Sequence, residues 1–266
     1  MTAIAAIGHL TRDVVEGGAP RAGGAVFYST KALSRMDVAA HVAASCAAAD
    51  REYLLPPLEA FGLPVTWYES KTTTAYRFHY EGDHRVMQQE SVGEPWAAAQ
   101  ALDAVADATW VHVGALVRTD FSEETLAALA EGDRKLLVDA QGLVRTPALG
   151  SLQTDGKIGD VLRYVTILKL DDEEAETLVG RADPERLRTL GVPEVLLTLG
   201  SKGSFVITPE LIEHVPARRI EGSVDPTGAG DTFSAAYLVA RESGAEPPEA
   251  AQAATAIVAA FLDAAD

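Results

Sequence analysis

The sequence predicts a single α/β domain, a central and mostly parallel sheet with helices on both faces and a small β lid. Three observations predict it. Short apolar runs alternate with helix-patterned segments along most of the chain, which is how parallel strands joined by crossover helices read. One stretch, residues 72–90, departs from that rhythm and alternates polar with aromatic and Thr positions. The 266 residues, 47% of them hydrophobic, are enough for one sizeable core.

The elements follow in order. Residues 3–7 read as a first strand ended by Gly8, and Gly23 and Gly24 open a helix running to residue 33. Residues 39–44 are a second strand, 52–61 a helix and 64–69 a third strand. Residues 72–90 form a hairpin turning at 81–83, with mixed faces that suit a sheet covering something rather than a buried parallel strand. Strands at 110–114, 136–140 and 165–170 then alternate with helices at 123–130 and 172–178. A strand at 195–199 and a hairpin of 205–208 and 212–215 lie near the sheet edge. Helices at 229–243 and 248–262 close the chain, the second rich in alanine, a strong helix former. With no internal repeat and no low-complexity linker, residues 1–266 read as one domain, with lid segments at about 14–22 and 65–90.

Composition narrows the function. Acidic residues outnumber basic ones 39 to 22, for a net charge of -17, so the surface repels nucleic acid and anionic membrane. A nucleotide is not excluded, because a few local donors and Mg²⁺ hold phosphate in an acidic protein. The lone Cys46 rules out a disulfide framework or a cysteine metal site within one chain and reads as a small buried apolar residue. The first residues lack a basic region, and Arg12 and Asp13 interrupt a short apolar run, so a signal peptide is not expected. No stretch approaches the roughly 18 apolar residues of a membrane span. A cytoplasmic enzyme is the expectation.

The most informative segment is SVDPTGAGDTFSAAYLVA, residues 223–240. Pro226 ends any strand, Gly228 and Gly230 admit close backbone approach, and an apolar helix begins at about Thr232. Free N–H groups and the positive end of a helix dipole make an anion site there. Asp231, in the first turn, is expected to stay ionised in that field and to accept a hydroxyl proton while the neighbouring amides hold phosphoryl oxygens. Read locally, an ordinary capped helix explains the same residues about as well. Neither a full G-x-G-x-x-G nor a G-x-x-x-x-G-K-[ST] is present.

The run D-P-T-G-A-G-D-T-F at 225–233 resembles the C-terminal signature of the PfkB carbohydrate kinases, the ribokinase-like family. Further segments match in order. G-H-L-T-R-D at 8–13 resembles the G-x-x-x-x-D in which the acid, here Asp13, binds substrate hydroxyls. Gly23 and Gly24 resemble the glycine pair that lets backbone approach substrate, and residues 72–89 resemble part of the β lid. L-K-L-D-D-E-E-A at 168–175 resembles the N-x-x-E motif, which implies that Lys169 and Asp171 face the nucleotide and that Glu174 helps organise Mg²⁺. T-L-G-S-K-G at 198–203 resembles the loop lining the ATP site, with Thr198, Gly200 and Gly203. The resemblance implies an ATP- and Mg²⁺-dependent kinase, with Asp231 as base and Gly228, Ala229 and Gly230 as the anion hole.

The sequence also departs from the pattern. Asp171 stands where the family usually has Asn. Tyr28 stands where ribokinase-type members have a sugar-binding Asn, which argues against ribose in its usual pose. Asp225 and Thr227 match the first half of a monovalent-cation site, and the second half is not expected in the four residues after the last helix, which leaves activation by a monovalent cation open. D-A-Q-G-L-V-R at 139–145 is similar to a subgroup that includes the myo-inositol kinases. Asp139 and Gln141, at a strand's C-terminal end, would then face the ligand crevice, and Arg145 would reach a phosphate; otherwise Asp139 caps a turn and Arg145 is solvated.

A polyol or sugar kinase, inositol-like favoured, is thus the leading expectation. A nucleoside kinase is the second, since Phe27, Tyr28, Tyr76 and Phe78 either stack on a base or pack the core and lid. The third is a non-catalytic nucleotide- or sugar-binding regulator. The resemblance is also compatible with a homodimer contact through the lid, with Phe78, Tyr80 and Val86 as candidates.

Overall fold

The computed structural model describes residues 3–15, 18–81, 84–220 and 225–263. The expected turn at 82–83 lies outside them, as do positions 16 and 17 of the first lid segment.

The strands are β1 Ile4–His9, β2 Thr11–Val15, β3 Arg21–Gly23, β4 Ala40–Ala47, β5 Val65–Ser70, β6 Thr74–Glu81, β7 His84–Ser91, β8 Trp110–Gly114, β9 Lys135–Asp139, β10 Gly150–Ser151, β11 Ile167–Asp171, β12 Glu194–Thr198, β13 Ser204–Ile207 and β14 Ile212–Val215. The helices are α1 Ala25–Leu33, α2 Arg51–Glu59, α3 Ala98–Val105, α4 Glu123–Leu129, α5 Gln141–Val144, α6 Asp172–Val179, α7 Pro184–Arg188, α8 Ala229–Glu242 and α9 Pro247–Asp263.

Nine strands form the main sheet in the order β14-β13-β12-β11-β9-β8-β1-β4-β5. Pairing is parallel from β12 to β5, and β13 and β14 add an antiparallel hairpin at one edge. Side chains alternate between the two faces. Ala5, Ile7, Val111, Val113, Leu136, Val138 and Leu168 pack under α3, α4, α6 and α7, whereas Ile4, Ala6, Leu137, Ile167 and Leu196 pack under α1, α2, α8 and α9. From β1 the chain goes first to β4 and β5 on one side and later to β8 on the other. The order therefore reverses at β1/β8, and the crevice beyond the carboxyl ends of these strands is where ligands bind in such sheets.

The second sheet, β10-β7-β6-β2-β3, is the lid. Its underside brings Tyr76 and Phe78 onto Ala25, at the start of α1, and Leu116, just past β8. The lid therefore stands over that crevice. Its extent differs from expectation. Residues 65–70 are the edge strand β5 of the main sheet, so the second lid segment starts at β6, while Gly150 and Ser151 join the lid from a distant loop. Asp13 lies in lid strand β2, and Phe78 is buried on the lid's inner side, which withdraws it from any contact on the outside. Val86 is half-buried, and the side chain of Tyr80 lies outside the described residues.

Helix α3 was not foreseen. Its AAQALDAV sequence, half alanine, spans only about two turns, yet Ala101, Ala104 and Val105 pack fully into the core. Among the described residues no helix is long and apolar enough to cross a membrane.

Candidate active site

Helix α8 organises the site. Gly228 is its N-cap with φ 80°, a left-handed conformation that glycine adopts without strain, and a β-carbon there would run into the Tyr28 ring. A β-carbon on Gly230 would stand 2.9 Å from Lys169 Nζ. The turn thus lies between a phenol ring and a lysine ammonium, with the Ala229 amide already donating to the Pro226 carbonyl at 3.0 Å. Asp231 follows, half-buried in the first turn of α8.

The charge on Asp231 is tuned against the helix dipole rather than with it. Burial, and then the negative charge of Asp139, push its carboxyl up to about 6, with Lys169, His112 and Arg145 pulling the other way. At neutral pH it is still mostly ionised, and a base with a raised pKa is better matched to taking a proton than an ordinary carboxylate.

Three buried polar side chains meet on the sheet face beneath the start of α8: His112 on β8, Asp139 on β9 and Lys169 on β11. Parallel register sets Lys169 directly beside Asp139. His112 Nε2 lies 2.6 Å from Asp139 Oδ2, Ser234 of α8 donates to Asp139 Oδ1 at 2.9 Å, and Lys169 Nζ stands 3.8 Å from the same oxygen. Burial acts to raise the Asp139 pKa, but His112, Lys169 and Ser234 outweigh it and hold the carboxyl below its usual range. Burial likewise acts to lower Lys169, and the surrounding carboxylates of Asp139, Glu174, Asp231 and Asp171 outweigh it, so the lysine is a cation. Asp139 was expected to face the crevice. Its oxygens are instead turned into the protein beneath Asp231.

Asp171 caps α6. Its Oδ1 accepts from the Glu174 amide at 2.9 Å, and Glu174 Oε2 accepts from the Asp171 amide at 3.0 Å, a reciprocal capping box. The Asp in place of Asn therefore keeps the capping role, since either side chain supplies the oxygen. Burial, followed by the Asp171 charge, pushes Glu174 up to about 7, against the pull of Lys169. Among the described residues no three His, Cys, Asp or Glu side chains gather as a metal cage.

On the lid side, Asp13 is buried against Gly23, where a β-carbon would overlap its carboxylate. Gly24, at φ 98°, brings its backbone so close to His9 that a β-carbon would lie 2.5 Å from the His9 carbonyl. Both glycines are required by packing within the protein. Tyr28, with Asp13 nearby, has its hydroxyl pushed up to about 12, chiefly by burial. Arg145, just past α5, lies near enough for its charge to act on the buried Tyr76, Asp231 and Glu174. Gln141 is half-buried, its amide 3.4 Å from the Ala115 carbonyl. The Asp225 Oδ1 accepts from the amide and hydroxyl of Thr227 at 3.0 and 2.6 Å, in the exposed turn before Gly228.

On the other side of Gly230 opens a cavity of about 600 Å³. Thr198, Gly200 and Gly203 line it, as do Pro226, Phe233, Val258 and Leu262, with Arg218 and Arg219 at its margin. Its walls are mostly apolar with a few polar groups, and it ends at the α8 turn.

The pfkB family carbohydrate kinase model matches residues 12–262. The chain belongs to this family. Among curated pfkB-type relatives, the bifunctional protein HldE of Shewanella amazonensis is 33% identical over 171 residues, covering 51% of this chain and 35% of that protein. The 2-dehydro-3-deoxygluconokinase of Thermoproteus tenax is 35% identical over 107 residues, covering 37% of this chain and 33% of that protein. The matches thus span about a third of these relatives' length. A pyrophosphate-dependent kinase of the ribokinase family, solved with a pyrophosphate analogue and myo-inositol, superposes with a TM-score of 0.83 at 28% identity over 97% of this chain and 94% of that one. A nucleoside kinase of Burkholderia thailandensis superposes with a TM-score of 0.76 at 19% identity over 98% of this chain and 91% of that one, a likeness of fold.

Within this pfkB framework the structure gathers Asp231, the 228–230 turn, Lys169, Tyr28, Arg145, Asp13 and Glu174 around one crevice, and Thr198, Gly200 and Gly203 around the adjoining cavity. Sequence reasoning passed over His112, Ser29 and Ser234. One signal was legible: WVHVG, KLLVD and ILKLD each carry a polar residue where strand alternation points inward.

Proposed function

We propose that this chain transfers a phosphoryl group to a hydroxyl of a small polyol or sugar, an inositol-like ring favoured. The observation that carries it is Asp231 in the first turn of α8, beside amides bracketed by Lys169 and Tyr28. Asp231 accepts the acceptor's proton, and the amides of the turn other than that of Ala229, together with Lys169, hold the charge that builds on the phosphoryl oxygens. Asp13 and Arg145 hold the acceptor beneath the lid, where the two Tyr side chains 28 and 76 leave less room than a smaller residue would. The inositol preference is supported by the 139–145 segment and by the myo-inositol bound to the 28%-identical structure.

ATP with Mg²⁺ is the donor favoured by the apolar cavity, which has walls for a nucleoside. Asp171 and Glu174 would hold the Mg²⁺, which when bound offsets phosphate charge. Pyrophosphate is a second reading. Three solved structures at 27–28% identity are described as pyrophosphate-dependent. Lys169 and Arg145 near the turn supply cations for a donor without a base.

The test is to incubate the protein with inositols, sugars and nucleosides, using Mg-ATP or Mg-pyrophosphate as donor. Acceptor-dependent release of ADP or phosphate supports a kinase, and the donor giving the higher kcat/KM decides between the two readings. Donor binding without turnover on any acceptor would instead favour a non-catalytic binding protein.

A further inference from the structure

Beneath the site a buried polar chain links α1 to α8. Ser29 Oγ, on α1, donates to the Ala25 carbonyl at 2.7 Å and lies 2.8 Å from His112 Nδ1. His112 Nε2 then meets Asp139 Oδ2, and Asp139 Oδ1 meets Ser234 and Lys169. Ser29, His112, Asp139 and Ser234 are all buried.

The proton inventory of this chain is constrained. A hydroxyl has one hydrogen, and the Ala25 carbonyl accepts only, so the Ser29 proton goes there. Ser29 Oγ must then accept from His112, and Nδ1 carries a hydrogen. Asp139 receives Ser234 and faces the Lys169 ammonium, so it is the ionised acceptor, and Nε2 carries a hydrogen too. With both nitrogens protonated, His112 is an imidazolium.

The charges then sum in a definite way. Asp139 sits between two cations, His112 and Lys169. Were His112 neutral, Asp139 would cancel the lysine beside it, and the turn at Gly230 would face a neutral pair. With His112 charged, the three side chains carry one net positive charge, and its outward member, Lys169 Nζ, is at Gly230.

We propose that His112 is a positioning residue for phosphoryl transfer: clamped between Ser29 and Asp139, it takes up the Asp139 charge and so leaves Lys169 to hold anionic phosphoryl oxygens at the α8 turn. This rests on the kinase reading for its kinetic form, but the anion-binding part stands without Asp231 as base.

Two readouts test it. His112→Gln keeps a donor for Asp139 but loses the charge. It is expected to lower kcat at least tenfold with the acceptor KM within about threefold, and to weaken inorganic pyrophosphate, titrated calorimetrically without acceptor, by a similar factor. The double variant His112→Gln/Asp139→Asn removes both opposing charges and is expected to recover pyrophosphate affinity over the single variant. A purely structural role predicts the reverse, since the second substitution would only add damage. Near-wild-type pyrophosphate affinity in His112→Gln overturns the proposal, as does a double variant no tighter than the single, or a wild-type chain that binds no pyrophosphate. If His112→Gln does not fold, Ser29→Ala, which removes the Nδ1 acceptor together with the hydroxyl's bond to the Ala25 carbonyl, must weaken pyrophosphate binding measurably, and unchanged affinity is fatal to the idea. Asp231→Asn serves as the control: wild-type turnover in that variant sinks the base assignment while leaving the pyrophosphate comparison intact.

Discussion

Lys169 Nζ and the Cα hydrogen side of Gly230 face each other so closely that a single added methyl would meet the ammonium at 2.9 Å. The lysine comes from β11 and the glycine from α8, some sixty positions along the chain, so the contact exists only once α8 has docked on the sheet. It makes the glycine a spacing device as much as a source of backbone freedom.

Gly230→Ala should therefore push Lys169 aside without removing any amide. The expected result is a fall in kcat on the order of tenfold to a hundredfold, with acceptor KM little changed, since the interaction lost matters most in the transition state. Steady-state kinetics over both substrates would check it. Equal losses in kcat and acceptor binding would point to collapse of the crevice instead.

Activity should show an acidic limb centred near pH 6. Asp231 must be ionised to accept a proton, and its carboxyl is pushed up to about 6, so the rate rises with pH through that value. A kcat/KM profile flat down to pH 4.5 would contradict it.

The same raised pKa means that ionised Asp231 is a burden on the fold. Its folded value lies above the ordinary carboxylate value, so folding binds its proton more tightly and the cost is present above about pH 6. Asp231→Asn should then abolish most turnover yet raise stability by about 1–2 kcal/mol at pH 8, a trade between stability and activity common at working sites. The gain should fade as pH drops from 6 towards 4, which urea melts at several pH values would show.

Filling the cavity separates the donors. Val258→Trp, on α9, should raise the KM for ATP several-fold and leave that for pyrophosphate unchanged, because only the nucleoside needs the apolar walls. An equal effect on both donors would mean that the cavity is not where the nucleoside sits.

Glu194 anchors α8 from below. Tyr237 donates to its Oε2 at 2.6 Å and Arg241 to its Oε1 at 2.6 Å. Glu194→Ala strands a half-buried arginine and a buried tyrosine hydroxyl, and should cost about 3 kcal/mol in urea unfolding. A loss under 1 kcal/mol would show that water replaces the carboxylate there.

Much of this was legible locally. The α8 start was readable because a Pro, two glycines and an acid within seven residues say where a helix begins and which charge its first turn holds. Asp171 and Glu174 were readable as a helix start for the same reason, and their capping box uses only residues three apart. The lid was readable as a hairpin, but its boundaries were not: β5 and β6 look alike in sequence, and only pairing partners put one in the main sheet and the other in the lid. Helix α3 escaped because it is only eight residues long, about two turns in which to show a period.

By itself the sequence determined the layered α/β architecture, the glycine turn at 228–230 that opens a helix and the presence of Asp231 beside it. These depend on strand and helix periodicity, glycine conformation and capping, which act between near neighbours in the chain. Only the tertiary structure decided that Asp139 turns inward to His112, that Lys169 rather than a distant cation meets Gly230, and that burial raises Asp231 against its own helix dipole. Each of those is set by which side chains from separate strands share one face and how far water is excluded from them, and alternation along a strand names a face without naming what will be packed upon it.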